Sequence, residues 1–178
     1  MRKLFILLLC IFAARTASAQ YSAVRVNVLG WATGALNAGV DVAVAEKWSI
    51  DISGYWNPID TPKQSLNFAA IQVGTRFWFY EAFVGHFIGG QFSYVDYDLG
   101  SRTRRYDGRA FGVGFSYGYA WMLSKRWNVA IEAGIGLFHT KDTRHDPTVG
   151  KWDDEYIYRS RRWTLMPSRL EVSFSYLF

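Results

Sequence analysis

The strongest constraint on this chain is a two-residue period. In the last fourteen residues, LMPSRLEVSFSYLF, alternate positions Leu170, Val172, Phe174, Tyr176 and Phe178 are apolar, while Arg169, Glu171, Ser173 and Ser175 are polar. Successive side chains of a strand point to opposite faces, so this segment reads as a two-sided strand with one aromatic-rich face. The pattern is plainest over 111–121, where Phe111, Val113, Phe115, Tyr117, Tyr119 and Trp121 oppose Gly112, Gly114, Ser116, Gly118 and Ala120. A helix would scatter these residues around its circumference, because its period is about 3.6 residues. The chain must be built from strands, and their bulky faces need an apolar environment.

Six more segments alternate. Ser22 to Trp31 places Val24, Val26 and Val28 opposite Arg25 and Asn27. Leu36 to Ala45 places Val40, Val42 and Val44 against Asn37, Gly39 and Asp41, and Trp48 to Trp56 sets Ile50 and Ile52 against Ser49, Asp51 and Ser53. Phe68 to Tyr80 opposes Ile71, Val73, Phe77 and Phe79 to Gln72, Gly74, Arg76 and Trp78. His86 to Asp96 is read with Ile88, Phe92 and Tyr94 on one face and Gly89, Gln91 and Ser93 on the other. Trp127 to His139 opposes Val129, Ile131, Ile135 and Leu137 to Asn128, Glu132, Gly134 and Gly136. The connections alternate between tight turns, at Glu46-Lys47, 81–85 and 124–126, and longer polar stretches, at 57–67, 97–109 and 140–163. The echo between EKWSIDI at 46–52 and KRWNVAIE at 125–132 is one turn solution used twice, short of the three units a repeat fold needs.

Eight strands with short and long connections in alternation predict an all-β chain, an eight-stranded antiparallel transmembrane β-barrel with short periplasmic turns and longer extracellular loops. A tilted strand of about ten residues crosses the hydrocarbon layer. Trp48, Phe79, Trp121, Trp127 and Phe178 all fall beside the short turns or the C-terminus and predict an interfacial aromatic girdle.

The N-terminus reads as a secretory signal peptide over 1–19. Met1-Arg2-Lys3 is positive, Leu4 to Ala14 is apolar, and Ala17-Ser18-Ala19 is a small-residue cleavage site. The apolar run falls short of the roughly twenty residues a spanning helix requires. Residues 20–178 are then the barrel domain. Removing Arg2, Lys3 and Arg15 lowers the formal charge from +5 to +2, so the basic balance of the full chain argues for no nucleic-acid partner. The single cysteine, Cys10, sits inside the apolar run, which leaves the exported part without disulfide or thiol chemistry.

The inward register collects Arg25, Asp41, Asp51, Arg76, Glu132, Arg169 and Glu171, with Asn27, Gln72 and Gln91 beside them. An eight-stranded barrel is just wide enough for side chains to fill it, so these charges are expected to pair as a barrel-interior polar network rather than line a channel. Arg102, Arg104, Arg105 and Arg109 share one outer loop, where guanidinium forks suit the phosphates of lipopolysaccharide. No catalytic, cofactor-binding or metal-binding residues are assigned. His139 with Thr140 and Asp142 has no serine arranged beside it, and the acidic residues around His145, Asp146, Asp153, Asp154 and Glu155 match no metal-binding loop.

The closing strand with its terminal Phe178 resembles the last strand of bacterial outer-membrane barrels, where a terminal aromatic is read by the barrel-insertion machinery. The stretches EKWSIDISGYWNP at 46–58, RFWFYEAFVGHFIGG at 76–90, FGVGFSYGYAWMLSKRWNVAIEAGIG at 111–136 and PSRLEVSFSYLF at 167–178 resemble a Bacteroidota family of small outer-membrane proteins known only as a domain of unknown function. The resemblance implies an eight-stranded barrel in the bacterial outer membrane. It also implies a genomic neighbourhood with fimbrial-type surface subunits, and it carries over no catalytic residues. The expected function is a non-enzymatic barrel presenting surface loops for structural support, adhesion or fimbrial-type assembly. The alternatives are a lipid-modifying outer-membrane enzyme that depends on His139 and a narrow, gated, porin-like pore. Expected partners are outer-membrane lipid, lipopolysaccharide, the insertion machinery and fimbrial-type surface proteins.

Overall fold

A computed structural model describes residues 21–60, 64–101, 104–145 and 158–178. The signal segment 1–19, Pro62, Arg102 and the acidic cluster from Asp146 to Glu155 lie outside the described residues. The elements are β1 (Ser22–Asn27), a short helix α1 (Val28–Ala32), β2 (Leu36–Ala45), β3 (Trp48–Asp60), β4 (Gln64–Trp78), β5 (Gly85–Ser101), β6 (Arg104–Met122), β7 (Trp127–His145) and β8 (Tyr158–Leu177). Each strand pairs antiparallel with its sequence neighbours, and β1 pairs with β8, so the eight strands form a closed barrel. The eight-stranded antiparallel fold expected from the alternation is the one observed.

The faces follow the sequence period. Val24 on β1, Ile52 on β3, Phe115 on β6 and Leu170 on β8 stand exposed on the outside, whereas Arg25, Asp51, Ser116 and Arg169 are buried in the lumen. On β5, Ile88, Phe92 and Tyr94 face out and Gln91 and Ser93 face in, as read from the sequence.

Two features depart from the sequence reading. The first strand ends at Asn27 rather than Trp31. The Asn27 carboxamide oxygen accepts from the backbone N–H groups of Leu29, Gly30 and Val172, which starts α1 and occupies the edge of β8. Asn37 clasps the backbone of Asn27 from the other side, its amide donating to Asn27 O and its oxygen accepting from Asn27 N. The described residues of the three long connections are also strand. β3 and β4 extend to Asp60 and from Gln64, β5 and β6 to Ser101 and from Arg104, and β7 and β8 to His145 and from Tyr158. Above the apolar belt the apolar residues turn inward, as at Val95, Tyr97 and Leu99 alternating with Asp96 and Asp98, so the outward hydrophobic pattern disappears while the backbone ladder continues.

The barrel is lopsided as a result. β1 pairs with β8 only up to Asn27↔Ser173, and β2 pairs with β3 only up to Leu36↔Trp56. Above that level the wall consists of β3 to β8, with edges on β3 and β8; α1 packs against β8 where β1 ends, and Thr33 O after it accepts from the Asn57 amide of β3. Pro58 and Pro167 both lie in these unpaired upper stretches, where a missing N–H is tolerated. Pro167 also adjoins a bulge. Gly134 faces Arg169 and Ile135 faces Pro167, so Ser168 is an extra residue, and Ser168 and Arg169 both point inward. One inserted residue switches the parity, which is why both Leu165 and Leu170 face out.

Candidate functional site

The lumen contains three layers, and the lowest is aromatic. Trp78, Phe83 and Phe87 pack with Ala23, Ala43, Ala120 and Leu177 at the short-turn end, with ring centroids 4.5 Å apart for Trp78–Phe87 and 5.7 Å apart for Trp78–Phe83. Phe83 belongs to the β4–β5 turn and takes φ 71°, a left-handed conformation costly for a bulky residue. Its ring is buried among the plug aromatics, and its carbonyl accepts from the Asn128 amide, so packing and a hydrogen bond hold it there. Opposite, a Cβ on Gly118 would collide with the Phe87 ring, which explains the small-residue face of β6 at this height.

The middle layer is an ion network that unites all seven charged residues read from the inward register. Arg25 contacts Asp41 at 3.1 Å, Asp51 at 3.3 Å and Glu171. Arg76 contacts Asp41 at 2.5 Å, Glu132 at 2.8 Å and Asp51 at 3.7 Å. Arg169 contacts Asp51 at 2.8 Å, Glu132 at 3.1 Å and Glu171 at 3.7 Å. Asp51 is 0 % exposed and touches all three guanidinium groups, which makes it the hub. Neutral groups add hydrogen bonds to the network: Tyr55 donates to Glu171, Ser116 donates to Glu132 at 2.5 Å, and Gln72 accepts from Arg169 at 3.2 Å. Gln91 donates to Ser168 Oγ at 2.8 Å. Every strand contributes to this layer.

Such a layer is a filling. Burying charges is costly unless each is paired and hydrogen-bonded, and this geometry meets that condition by sharing each carboxylate among two or three arginines. The sequence reading identified the charged members and the glutamines. It did not single out Tyr55, Ser116 or Ser168, because a tyrosine or serine on the inward register carries no charge to flag it, and Ser168 reaches its place only through the bulge.

The third layer is a cavity of about 500 Å³ between the network and the long-connection end. Gln72, Ser93 and Ser168 form its floor, and Tyr97, Leu99, Phe138 and Met166 are among the mostly apolar residues of its walls. Near its rim Asp142 is buried to 7 % exposure. One carboxylate oxygen meets exposed Arg162 only at 3.8 Å, and the other has no hydrogen-bond partner. Thr164 Oγ1, lower on the wall opposite Phe138, is likewise buried without a partner. The signal for this cavity was an apolar run on the inward register, with Val95, Tyr97 and Leu99 in phase with Gln91 and Ser93.

On the outside, Trp48, Phe79, Trp121, Trp127 and Phe178 are all exposed at the short-turn end. Trp127 stacks on Phe174 at 4.9 Å, and Trp48 meets Phe77 at 5.1 Å. Higher up, Tyr94, Phe111, His139 and Trp163 form a cross-strand row, with His139 5.3 Å from the Phe111 ring and 5.0 Å from that of Trp163. His139 is thus on the outer face while Thr140 and Asp142 point into the lumen, so the barrel wall separates the members of that grouping. Of the four arginines assigned to an outer loop, Arg104, Arg105 and Arg109 lie in β6, and exposed Arg109 pairs with Asp96 across the ladder at 3.0 Å. Among the described residues no group of three or more His, Cys, Asp or Glu is placed to hold a metal ion.

Neither the curated proteins nor the solved structures contain a match to this chain. A family model described as a protein of unknown function, DUF3575, does match, over residues 4–178 and hence every strand of the barrel, and the chain belongs to that uncharacterised family.

Proposed function

We propose that this chain is a non-enzymatic outer-membrane barrel that crosses the bilayer with its eight strands and carries extended hairpins above the outer surface, for structural support, adhesion or assembly of a fimbrial-type surface structure. The observation that carries this reading is an apolar exterior around a polar interior. Soluble monomers rarely expose apolar patches beyond about 300–600 Å². Here exposed apolar residues such as Phe115, at 75 %, occur on every strand. In hydrocarbon every backbone group must be satisfied internally, and a strand structure does this only by closing. The two aromatic levels, with Trp48, Trp121 and Trp127 below and Tyr94, Phe111 and Trp163 above, suit the two interfaces of a bilayer. Lipid and lipopolysaccharide are then the neighbours of the belt, and the insertion machinery acts on the closing strand.

Expressed with its signal segment, the protein should be recovered in the outer-membrane fraction as a species that migrates faster before boiling than after. Recovery as a soluble periplasmic protein would sink the proposal. The filled middle layer favours a closed lumen over the porin-like alternative, so the purified barrel should give no stepwise conductance in planar bilayers. The opposed orientations of His139 and Asp142 support the non-enzymatic reading over a histidine-dependent lipid enzyme, and membranes containing the protein should show unaltered lipid A.

A further inference from the structure

The upper cavity has a specific chemistry. At about 500 Å³ it falls within the range of ligand sites, roughly 300–1,000 Å³. A polar, roomy site holds water; an apolar-lined one takes apolar molecules. Tyr97, Leu99, Tyr106, Ala110, Phe138 and Met166 supply mostly carbon surface on four different strands. From Ser168 at the floor to Arg162 at the rim is six residues of β8, about 20 Å along the strand, so the cavity is long. Its walls come from β4 to β8 alone, because β1 and β2 end below it and leave the upper edges of β3 and β8 unbridged by strand.

The polar groups point the same way. Most of the buried charges in this lumen have close partners, yet Asp142 at the rim keeps one carboxylate oxygen without any and shares the other only distantly with an exposed arginine. A buried acceptor without a donor is costly, and a donor brought by a ligand would relieve that cost. Thr164, whose Oγ1 is also buried without a partner, offers a hydroxyl deeper along the same wall.

We propose that the upper lumen binds one amphiphile whose apolar chain lies along Phe138 and Met166 and whose hydrogen-bond-donating head reaches Asp142. The site is set by the lumen alone, so it stands or falls independently of where the barrel resides.

The test uses the folded full barrel in dimyristoylphosphatidylcholine nanodiscs, with decanol and decyl methyl ether as probes of similar chain and opposite donor capacity, read by native mass spectrometry. Decanol should bind saturably, one per barrel, and about tenfold more tightly than the ether, the range of one hydrogen bond. Asp142→Leu should abolish that preference. Ala110→Phe, which fills the cavity, should abolish binding while heat-modifiable migration persists; Met166→Trp serves the same purpose if the first variant does not fold. Equal binding of the two probes to the wild type would overturn the role of Asp142. Undiminished decanol binding to a folded, cavity-filled variant, or no saturable binding at all, would overturn the site.

Discussion

The middle lumen draws on all eight strands and the upper lumen on β4 to β8 alone, and the two differ in almost every physical respect. In the middle, three arginines and four carboxylates share partners at distances mostly between 2.5 and 3.7 Å, and neutral side chains fill the remaining sites. Above, the walls are largely apolar and about 500 Å³ is open. The geometric cause is the lopsided wall. Where all eight strands pair, opposing side chains reach across and the lumen closes; where β1 and β2 have ended, two strands' worth of side chains are missing. The charged layer therefore specifies the closed barrel, and the upper layer is where the molecule has volume to spare for function.

The largest expected effect comes from breaking the middle layer. Arg76→Ala leaves Asp41 and Glu132 short of a cation, and removing one member of a buried ion pair costs about 3–5 kcal/mol. The urea unfolding midpoint in phospholipid vesicles should fall accordingly. An unchanged midpoint would mean that this layer is hydrated and that the contrast with the upper lumen is false.

Packing offers a paired comparison of intermediate size. Gly118→Ala drives a methyl into the Phe87 ring and should cost about 1–3 kcal/mol, the range of overpacking. Ala110→Leu points the added atoms into the open cavity and should shift stability by less than about 1 kcal/mol. Equal losses in the two variants would show that the upper lumen is as tightly filled as the lower.

The smallest effect belongs to the outer rim. Replacing Arg102, Arg104, Arg105 and Arg109 by glutamine should leave stability nearly unchanged, since exposed pairs such as Arg109–Asp96 contribute about 0–1 kcal/mol. Lipopolysaccharide co-purification is the sensitive readout. Its salt-dependent loss in the variant would support a phosphate contact, and its persistence would reduce these arginines to strand residues on the solvated rim.

What the sequence determined by itself is the part governed by local periodicity. Alternation at Phe111 to Trp121 and at Leu170 to Phe178 states which side chains face which way, and short turns between such strands leave an antiparallel neighbour as the only partner. The inward charges were legible for the same reason: Arg25, Asp51, Arg76 and Glu132 sit in phase with glycines and serines, and like must pair with unlike in a narrow lumen. Tertiary structure decided what depends on contacts across the barrel. Asn27 reads as one more inward polar residue until Asn37 and the edge of β8 make it the stop of β1. The upper ends of β5 to β8 read as loops because their outward face is polar and their apolar residues, such as Tyr97 and Leu99, point inward, although ladder bonds continue. Ser168 reads as out of phase until the bulge against Gly134 turns it inward. The cavity exists only because the walls have unequal heights, a difference between distant strands that no single stretch of sequence encodes.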